Sequence, residues 1–280
     1  MKLVRYGDVG HEKPGLMDGE ILRDLSGHVA DITGAMLDDA TLDKLRSIDP
    51  ATLPAVDGTP RMGACVGNIG KFLCIGLNYS DHAAETGAAI PEHPILFFKA
   101  NSAIVGPNDD VVMPRGSTKT DWEVELGVVI GTTAKYVSKE DALNHVAGYC
   151  VVNDVSERHF QSQLTGQWTK GKSCDTFGPT GPYLVTRDEV PDPQNLAMSL
   201  DVNGTRMQTG NTSTMIFTVA EIIEHLSQLM TLHPGDVITT GTPPGVGLGM
   251  KPPTFLKVGD VMELTIEGLG SQRQEVKQDA

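Results

Sequence analysis

Asp121-Trp122-Glu123-Val124-Glu125-Leu126-Gly127-Val128-Val129-Ile130 is the stretch on which the fold turns. Side chains of a strand alternate between its faces, so Trp122, Val124, Leu126, Val128 and Ile130 share one face and Asp121, Glu123, Glu125 and Gly127 the other. The alternation and the β-branched end predict a single strand over 121–130. Glu123 and Glu125 then point the same way, with Cα atoms roughly 6.5 Å apart. Two carboxylates converging at about 4 Å repel by about 4 kcal/mol at an effective dielectric near 20. A divalent cation removes that penalty and turns the pair into ligands. An isolated pair of this kind also fits the solvated face of a half-exposed antiparallel sheet, so the rest of the chain must decide.

Downstream, Tyr149-Cys150-Val151-Val152 reads as a buried strand with Asn153-Asp154 at its end. Asp154 supplies a third carboxylate. Three carboxylates with no accompanying Cys or His set suit Mg²⁺, Mn²⁺ or Ca²⁺ rather than zinc. Arg158 and Gln161, at i and i+3, share a face. Arg158 and Lys172 are the cations available to an anionic substrate, although Lys172 also reads as a solvated loop lysine. Upstream, Phe72 to Gly76 is a buried strand, and Asn78, Ser80 and Asp81 start a short helix that Gly87 stops. It places His82 and Glu85 on one face, either as a base with its orienting carboxylate or as a surface pair of little consequence.

Further along, Asn203-Gly204 marks a hairpin after Met198–Val202. Ser138 to Asp141 opens a short helix ending before Gly148. Thr218 and Glu221 form a capping box opening a long helix whose buried stripe is Ile222, Ile223, Leu226, Leu229 and Met230. Val237–Thr240 is a strand, and Val261 to Glu267 a last alternating one. The loop from Gly241 to Gly247 lacks the pattern of a phosphate loop; it offers the Thr242 hydroxyl and backbone N–H groups to a carboxylate, or is a plain turn.

The chain of 280 residues carries 36 acidic against 22 basic residues, a net charge of −14. That balance argues against nucleic-acid partners and anionic membrane surfaces. No apolar run has the length of a membrane span, and the first residues lack the apolar core of a signal peptide. Cys65, Cys74, Cys150 and Cys174 show no C-x-x-C spacing and read as reduced thiols of a cytoplasmic protein. Residues 1–70, with a helical pattern from Leu37 to Ile48 and breaks at Pro50, Pro54 and Pro60, read as a small N-terminal α+β domain. Residues 71–280 hold every chemical motif and read as the catalytic domain.

Five motifs occur here in the order of the fumarylacetoacetate hydrolase superfamily, which the chain resembles over roughly residues 71–270. They are Gly76-Leu77-Asn78-Tyr79-Ser80-Asp81-His82, Glu123-x-Glu125, Asn153-Asp154-Val155-Ser156-Glu157-Arg158, Lys170-Gly171-Lys172-Ser173 and Thr240-Gly241-Thr242-Pro243-Pro244-Gly245-Val246-Gly247. The resemblance implies an α+β fold, a mixed β-sheet roll around a metal site with a small N-terminal domain, in a homodimer. It implies Mg²⁺ or Mn²⁺ on Glu123, Glu125 and Asp154, and a catalytic His82–Glu85 dyad on a lid. Lys172 is then catalytic, and Arg158, Gln161 and Thr242 contact the substrate.

The Phe72–Leu77 strand lacks the further Asp ligand of the larger family members, which turns the expectation away from fumarylacetoacetate itself. The expected reaction is metal-dependent hydrolysis of a C–C bond in a 2,4-dioxo acid, giving pyruvate and a carboxylic acid. A diketo-deoxy sugar acid is the favoured substrate by overall likeness, with Thr86–His93 and the loop 208–214 expected to meet its tail. The alternatives are an oxaloacetate decarboxylase, a ureidoglycolate lyase, a 2-hydroxyhepta-2,4-diene-1,7-dioate isomerase, and a metal-dependent keto-acid binding protein without turnover.

Overall fold

A computed structural model describes residues 1–87 and 89–279; Ala88, within the segment expected to meet the substrate tail, lies outside the described residues. The deciding stretch is broken in two, a correction to the single strand expected. Thr120–Asp121 is a short strand that pairs with Ser156–Glu157, and Val124–Ile130 is a longer one, with Trp122 and Glu123 between them. Side chains take over the backbone donors at the break. Asp121 accepts from Trp122 N at 2.9 Å, Asn153 Oδ1 takes Glu123 N at 3.2 Å and Gln208 Oε1 takes Val124 N at 3.0 Å. Every backbone donor there is satisfied without a ladder partner, which frees Glu123 from the flat path of the sheet.

Val124–Ile130 is buried along its whole length, so the solvated-face reading of the acidic side fails. One face packs Val124, Leu126, Val128 and Ile130 into a core with Ile222, Ile223 and Leu226 and with Met262, Leu264 and Ile266. The other packs Val129 with Phe72, Cys150, Val152 and, from the N-terminal segment, Leu3, Leu42 and Leu45. With both faces covered, the strand reads as a near-continuous apolar run.

The large sheet runs, in spatial order, Ile21–Asp24, Lys13–Asp18, Lys2–Tyr6, Gly178–Thr186, Val146–Asn153, Val124–Ile130, Val237–Thr239, Phe72–Gly76 and Ile95–Lys99, with Ile104–Val105 beside Gly178–Thr186. Neighbours along this path are antiparallel except Val237–Thr239 and Phe72–Gly76, which run parallel. A second sheet is ordered Thr205–Asn211, Ala197–Val202, Val261–Ile266, Gly270–Gln278 and Val111–Met113. The architecture is α+β with mixed sheets. The N-terminal strands join the large sheet through Lys2 opposite Val185.

The capping box forms as expected, with Thr218 and Glu221 closing the start of Val219–Leu229. The expected N-terminal helix is Asp39–Arg46, capped by Asp38, whose side chain accepts from Thr41 N. After Ser138 the chain makes one 3₁₀ turn, Ala142–His145, rather than a helix. Gln208 to Asn211, expected as a loop, belongs to the Thr205–Asn211 strand. The last strand, Gly270–Gln278, has no sequence signal because glutamines stand where apolar residues would. Gln272 Nε2 donates to Val151 O and Gly181 O at 2.8 and 2.9 Å, so these buried amides knit the two sheets through hydrogen bonds. Among the described residues no helix is long and apolar enough to cross a membrane.

Candidate active site

The break at Trp122-Glu123 and the end of the Val146–Asn153 strand lie side by side, because Val124 pairs with Asn153 and Asp154 N donates to Glu123 O at 2.9 Å. Glu123, Glu125 and Asp154 are all buried, and one carboxylate oxygen from each lies within 4.8 Å of the others. Oxygens on an octahedral Mg²⁺ stand about 3 Å apart when adjacent and about 4.2 Å apart when opposite, so the three need draw together by no more than about 2 Å to share one hard cation. The donor set therefore fits a divalent ion.

Cations surround this cluster. Lys172 Nζ lies 2.6 Å from both Glu123 Oε2 and Asp154 Oδ2. Lys99 Nζ, fully buried, lies 2.6 Å from Asp154 Oδ1 and donates to Val155 O at 3.0 Å. Arg158 Nε donates to Asp121 Oδ2 at 2.8 Å, and its Nη1 to Gln161 Oε1 at 3.0 Å. Arg158 Nη2 is ion-paired with Glu123 Oε1 at 2.7 Å, without an aligned hydrogen bond. Burial raises the Glu123 carboxyl, but Lys172 and then Arg158 overcome it and hold the group at about 2. Glu125 accepts from Gly241 N at 2.9 Å but forms no ion pair among the described residues. Burial, then the charges of Asp154 and Glu123, push it well above the usual carboxylate range. Burial opposes the charge on Lys172, yet Asp154 and Glu123 outweigh burial and raise it.

These pairs change the electrostatic reading. Three carboxylates and a dication alone leave one negative charge, which repels an anionic substrate. Asp121 and Arg158 neutralise each other, and Lys99 and Lys172 add two positive charges to the ligand set. With a dication the ensemble is net positive by one, and the low-dielectric walls strengthen its attraction for a carboxylate. Lys99 was not legible as a site residue: in Pro94-Ile95-Leu96-Phe97-Phe98-Lys99 it reads as a polar strand end.

The short helix Ser80–Thr86 places His82 Nδ1 3.1 Å from Glu85 Oε2. His82 is 8% exposed, so the dyad is no loose surface pair. Glu85 is held from its other side by Gly245 N, at 3.1 and 3.2 Å from its two oxygens. Asp121 in turn accepts from Gly247 N and Leu248 N at 2.7 and 2.9 Å. The loop after Gly241 thus links the dyad to the Asp121–Arg158 pair.

A cavity of about 250 Å³ is lined by His82, Glu123, Glu125, Asp154, Arg158 and Lys172 together with Gln161 and Thr242. All the residues expected to act are brought together; Glu85 stands behind His82. Thr242 is spent on structure, its Oγ1 donating to Val124 O at 3.0 Å and accepting from Gln208 Nε2 at 2.8 Å. The hydroxyl expected to meet the substrate is thereby committed to the scaffold. Gln208, expected near the substrate tail, is buried between Val124 and the Thr242 loop.

Gly245 takes φ +101°, and a Cβ there would stand 1.9 Å from Met207 O. Gly245→Ala is expected to cost at least about 2 kcal/mol from the left-handed strain and the clash, and to lower kcat by displacing the anchor of Glu85. Chemical denaturation and steady-state rates check both. Gly259→Ala, at φ +91° with open space around it, is the control that carries backbone strain alone.

The model of the fumarylacetoacetate hydrolase C-terminal family matches residues 71–277. A protein of Burkholderia lata named "Putative hydrolase" is 62% identical over 279 residues, 99% of each chain. Among solved structures, a fumarylacetoacetate hydrolase from Exiguobacterium antarcticum is 36% identical with a TM-score of 0.87, covering 100% of both chains. Maleylpyruvate hydrolase from Sphingobium sp. SYK-6, in complex with manganese(II) and pyruvate, is 28% identical with a TM-score of 0.83, again over 100% of both chains.

Proposed function

This chain belongs to the fumarylacetoacetate hydrolase family, and from that premise we propose that it hydrolyses the bond between C3 and C4 of 2,4-dioxo acids, releasing pyruvate and a carboxylic acid. The observation that carries the reading is the juxtaposition, in one cavity, of the buried Glu123–Glu125–Asp154 cluster and the His82–Glu85 pair. Manganese and pyruvate in the structure of the related maleylpyruvate hydrolase support the same pairing of metal and product.

A divalent cation on Glu123, Glu125 and Asp154, Mg²⁺ or Mn²⁺ by its oxygen donors, supplies Lewis-acid polarisation of the 2-oxo group. The chain's own residues do the rest. Arg158, through its unaligned Nη2, binds the substrate carboxylate. Glu85 holds Nδ1 of His82, and His82 takes a proton from water through Nε2. The water attacks the 4-oxo carbon, the bond from C3 to C4 breaks, and its electron pair goes to the pyruvate fragment. Lys172 faces that developing charge from within the cavity. A proton returned to C3 completes pyruvate.

The test is a panel of 2,4-dioxo acids with Mg²⁺ or Mn²⁺, scored for stoichiometric pyruvate and a second acid. Release of CO₂ from oxaloacetate with no cleavage of any dioxo acid would replace hydrolysis by decarboxylation, which needs no activated water. Binding of oxalate or pyruvate with no turnover would leave a keto-acid binding protein. Metal binding has its own readout. Mn²⁺ at 100 times its Kd is expected to stabilise the fold by about 2.7 kcal/mol, a rise in Tm of several degrees that EDTA reverses.

A further inference from the structure

The charged residues occupy only part of the cavity. Much of the rest of the wall is Ile75, Leu77, Phe97, Trp168, Val246 and Leu248, and that part is apolar. Leu77 sits at φ +50°, a left-handed conformation that costs a residue with a side chain about 1–2 kcal/mol. Asn or Gly would relieve that strain but would take the leucine side chain out of the wall. Its neighbour Asn78 holds the turn, donating to Phe217 O and Thr240 O at 3.0 and 2.8 Å and accepting from Phe217 N at 2.8 Å. Gly76 admits the ring of Trp168, which a Cβ would meet at 2.2 Å. Trp168 in turn packs edge-on against Phe97.

The two hydroxyls on the same cavity, Ser162 and Thr242, are already engaged. Ser162 Oγ donates to Arg158 O at 2.8 Å, and Thr242 Oγ1 donates to Val124 O. Gln161 Oε1 accepts from Arg158. Among the described residues lining the cavity, the lysine and arginine cations are Lys172 and Arg158, and both are paired with carboxylates at the charged end. A hydroxylated tail would give up water for few partners, and a carboxylate tail would find no cation of its own.

Resting on the hydrolase reading above, we infer that the acyl tail of the substrate is uncharged and apolar, a short alkyl or aryl group lying along Leu77 and Trp168, rather than the sugar-derived tail that overall likeness favours. The test uses 3-acylpyruvates with the Mn²⁺-loaded enzyme, their acyl chains ending in methyl, in propyl, in a carboxylate of the propyl length, or in a diol of that length. Each methylene buried should raise kcat/KM roughly 4-fold, the transfer value of a CH₂ group. The propyl compound should exceed its carboxylate and diol counterparts by at least about 10-fold.

Carboxylate or diol compounds cleaved as fast as the propyl one would overturn the tail assignment and leave the hydrolase reading standing. If no compound is cleaved, the hydrolase reading falls, and calorimetry with Mn²⁺ decides the tail separately: 2-oxohexanoate should bind more tightly than 2-oxoglutarate, and the reverse order overturns the inference. In Leu77→Asn, which suits the left-handed backbone, the propyl-to-methyl preference should fall towards unity. A folded Leu77→Asn with the wild-type preference would remove Leu77 from the subsite. Should that variant not fold, Trp168→Ala gives the same readout.

Discussion

Asp154→Ala is expected to abolish divalent-metal binding and, with it, turnover, and to destabilise the metal-free protein by about 3–5 kcal/mol. The stability loss follows from what the carboxylate neutralises. Lys99 and Lys172 each place Nζ 2.6 Å from an Asp154 oxygen, and both lysines are buried. Without Asp154, Lys99 keeps the Val155 carbonyl as an uncharged partner of its ammonium, and Lys172 keeps Glu123. An ammonium in an apolar interior without a countercharge either gives up its proton or draws in water, and each costs free energy. The metal loss follows from coordination, since two glutamates alone leave a hard cation under-ligated and beside two lysines. Calorimetric titration with Mn²⁺ and urea denaturation in EDTA read the two effects independently. A variant that binds Mn²⁺ with wild-type affinity would show that the acidic cluster is an internal ion-pair network and not a metal site.

His82→Ala should behave in the opposite way, keeping metal and fold while kcat drops on the order of 10²–10⁴-fold. His82 lines the cavity but makes no part of the acidic cluster, and its helix is anchored independently through Glu85 to Gly245 N and Asn78 to Phe217. The Mn²⁺ isotherm and the Tm shift on metal addition should stay within error of the wild type. Glu85→Gln should show a smaller loss, because the amide still reaches and orients the His82 ring but no longer brings a carboxylate to it. Wild-type kcat in His82→Ala with the best dioxo acid would rule out histidine-activated water and leave the decarboxylation chemistry as the alternative.

The acidic cluster was legible from spacing, two glutamates at i and i+2 and an aspartate at the end of an apolar run, although Glu123 lies in a break and not within the strand expected. The dyad was legible only with its neighbours, since His82 and Glu85 alone suit a surface helix equally well. Lys99 escaped because a lysine closing a strand looks the same whether it reaches water or a buried aspartate. Thr242 lines the cavity, but the bonds of its hydroxyl to Val124 O and Gln208 have no sign in the sequence, because both partners are distant along the chain. The Gly270–Gln278 strand escaped because two of its three inward positions are glutamines, Gln272 and Gln274, whose burial depends on acceptors that other segments supply.

The sequence by itself determined the local grammar of this protein: the apolar alternation of Val124–Ile130, the capping box of Val219–Leu229, the Asn203-Gly204 hairpin, and the order of motifs that places the chain in its family. Those are short-range features, set by side-chain period, backbone conformation and adjacent capping groups. Tertiary structure decided the sign of the charge in the cavity, the break that turns Glu123 towards Asp154, and the apolar wall facing them. Each of these depends on which distant segments approach within a few ångströms, and Coulomb energies, desolvation and hydrogen-bond partners are functions of that distance and not of position along the chain.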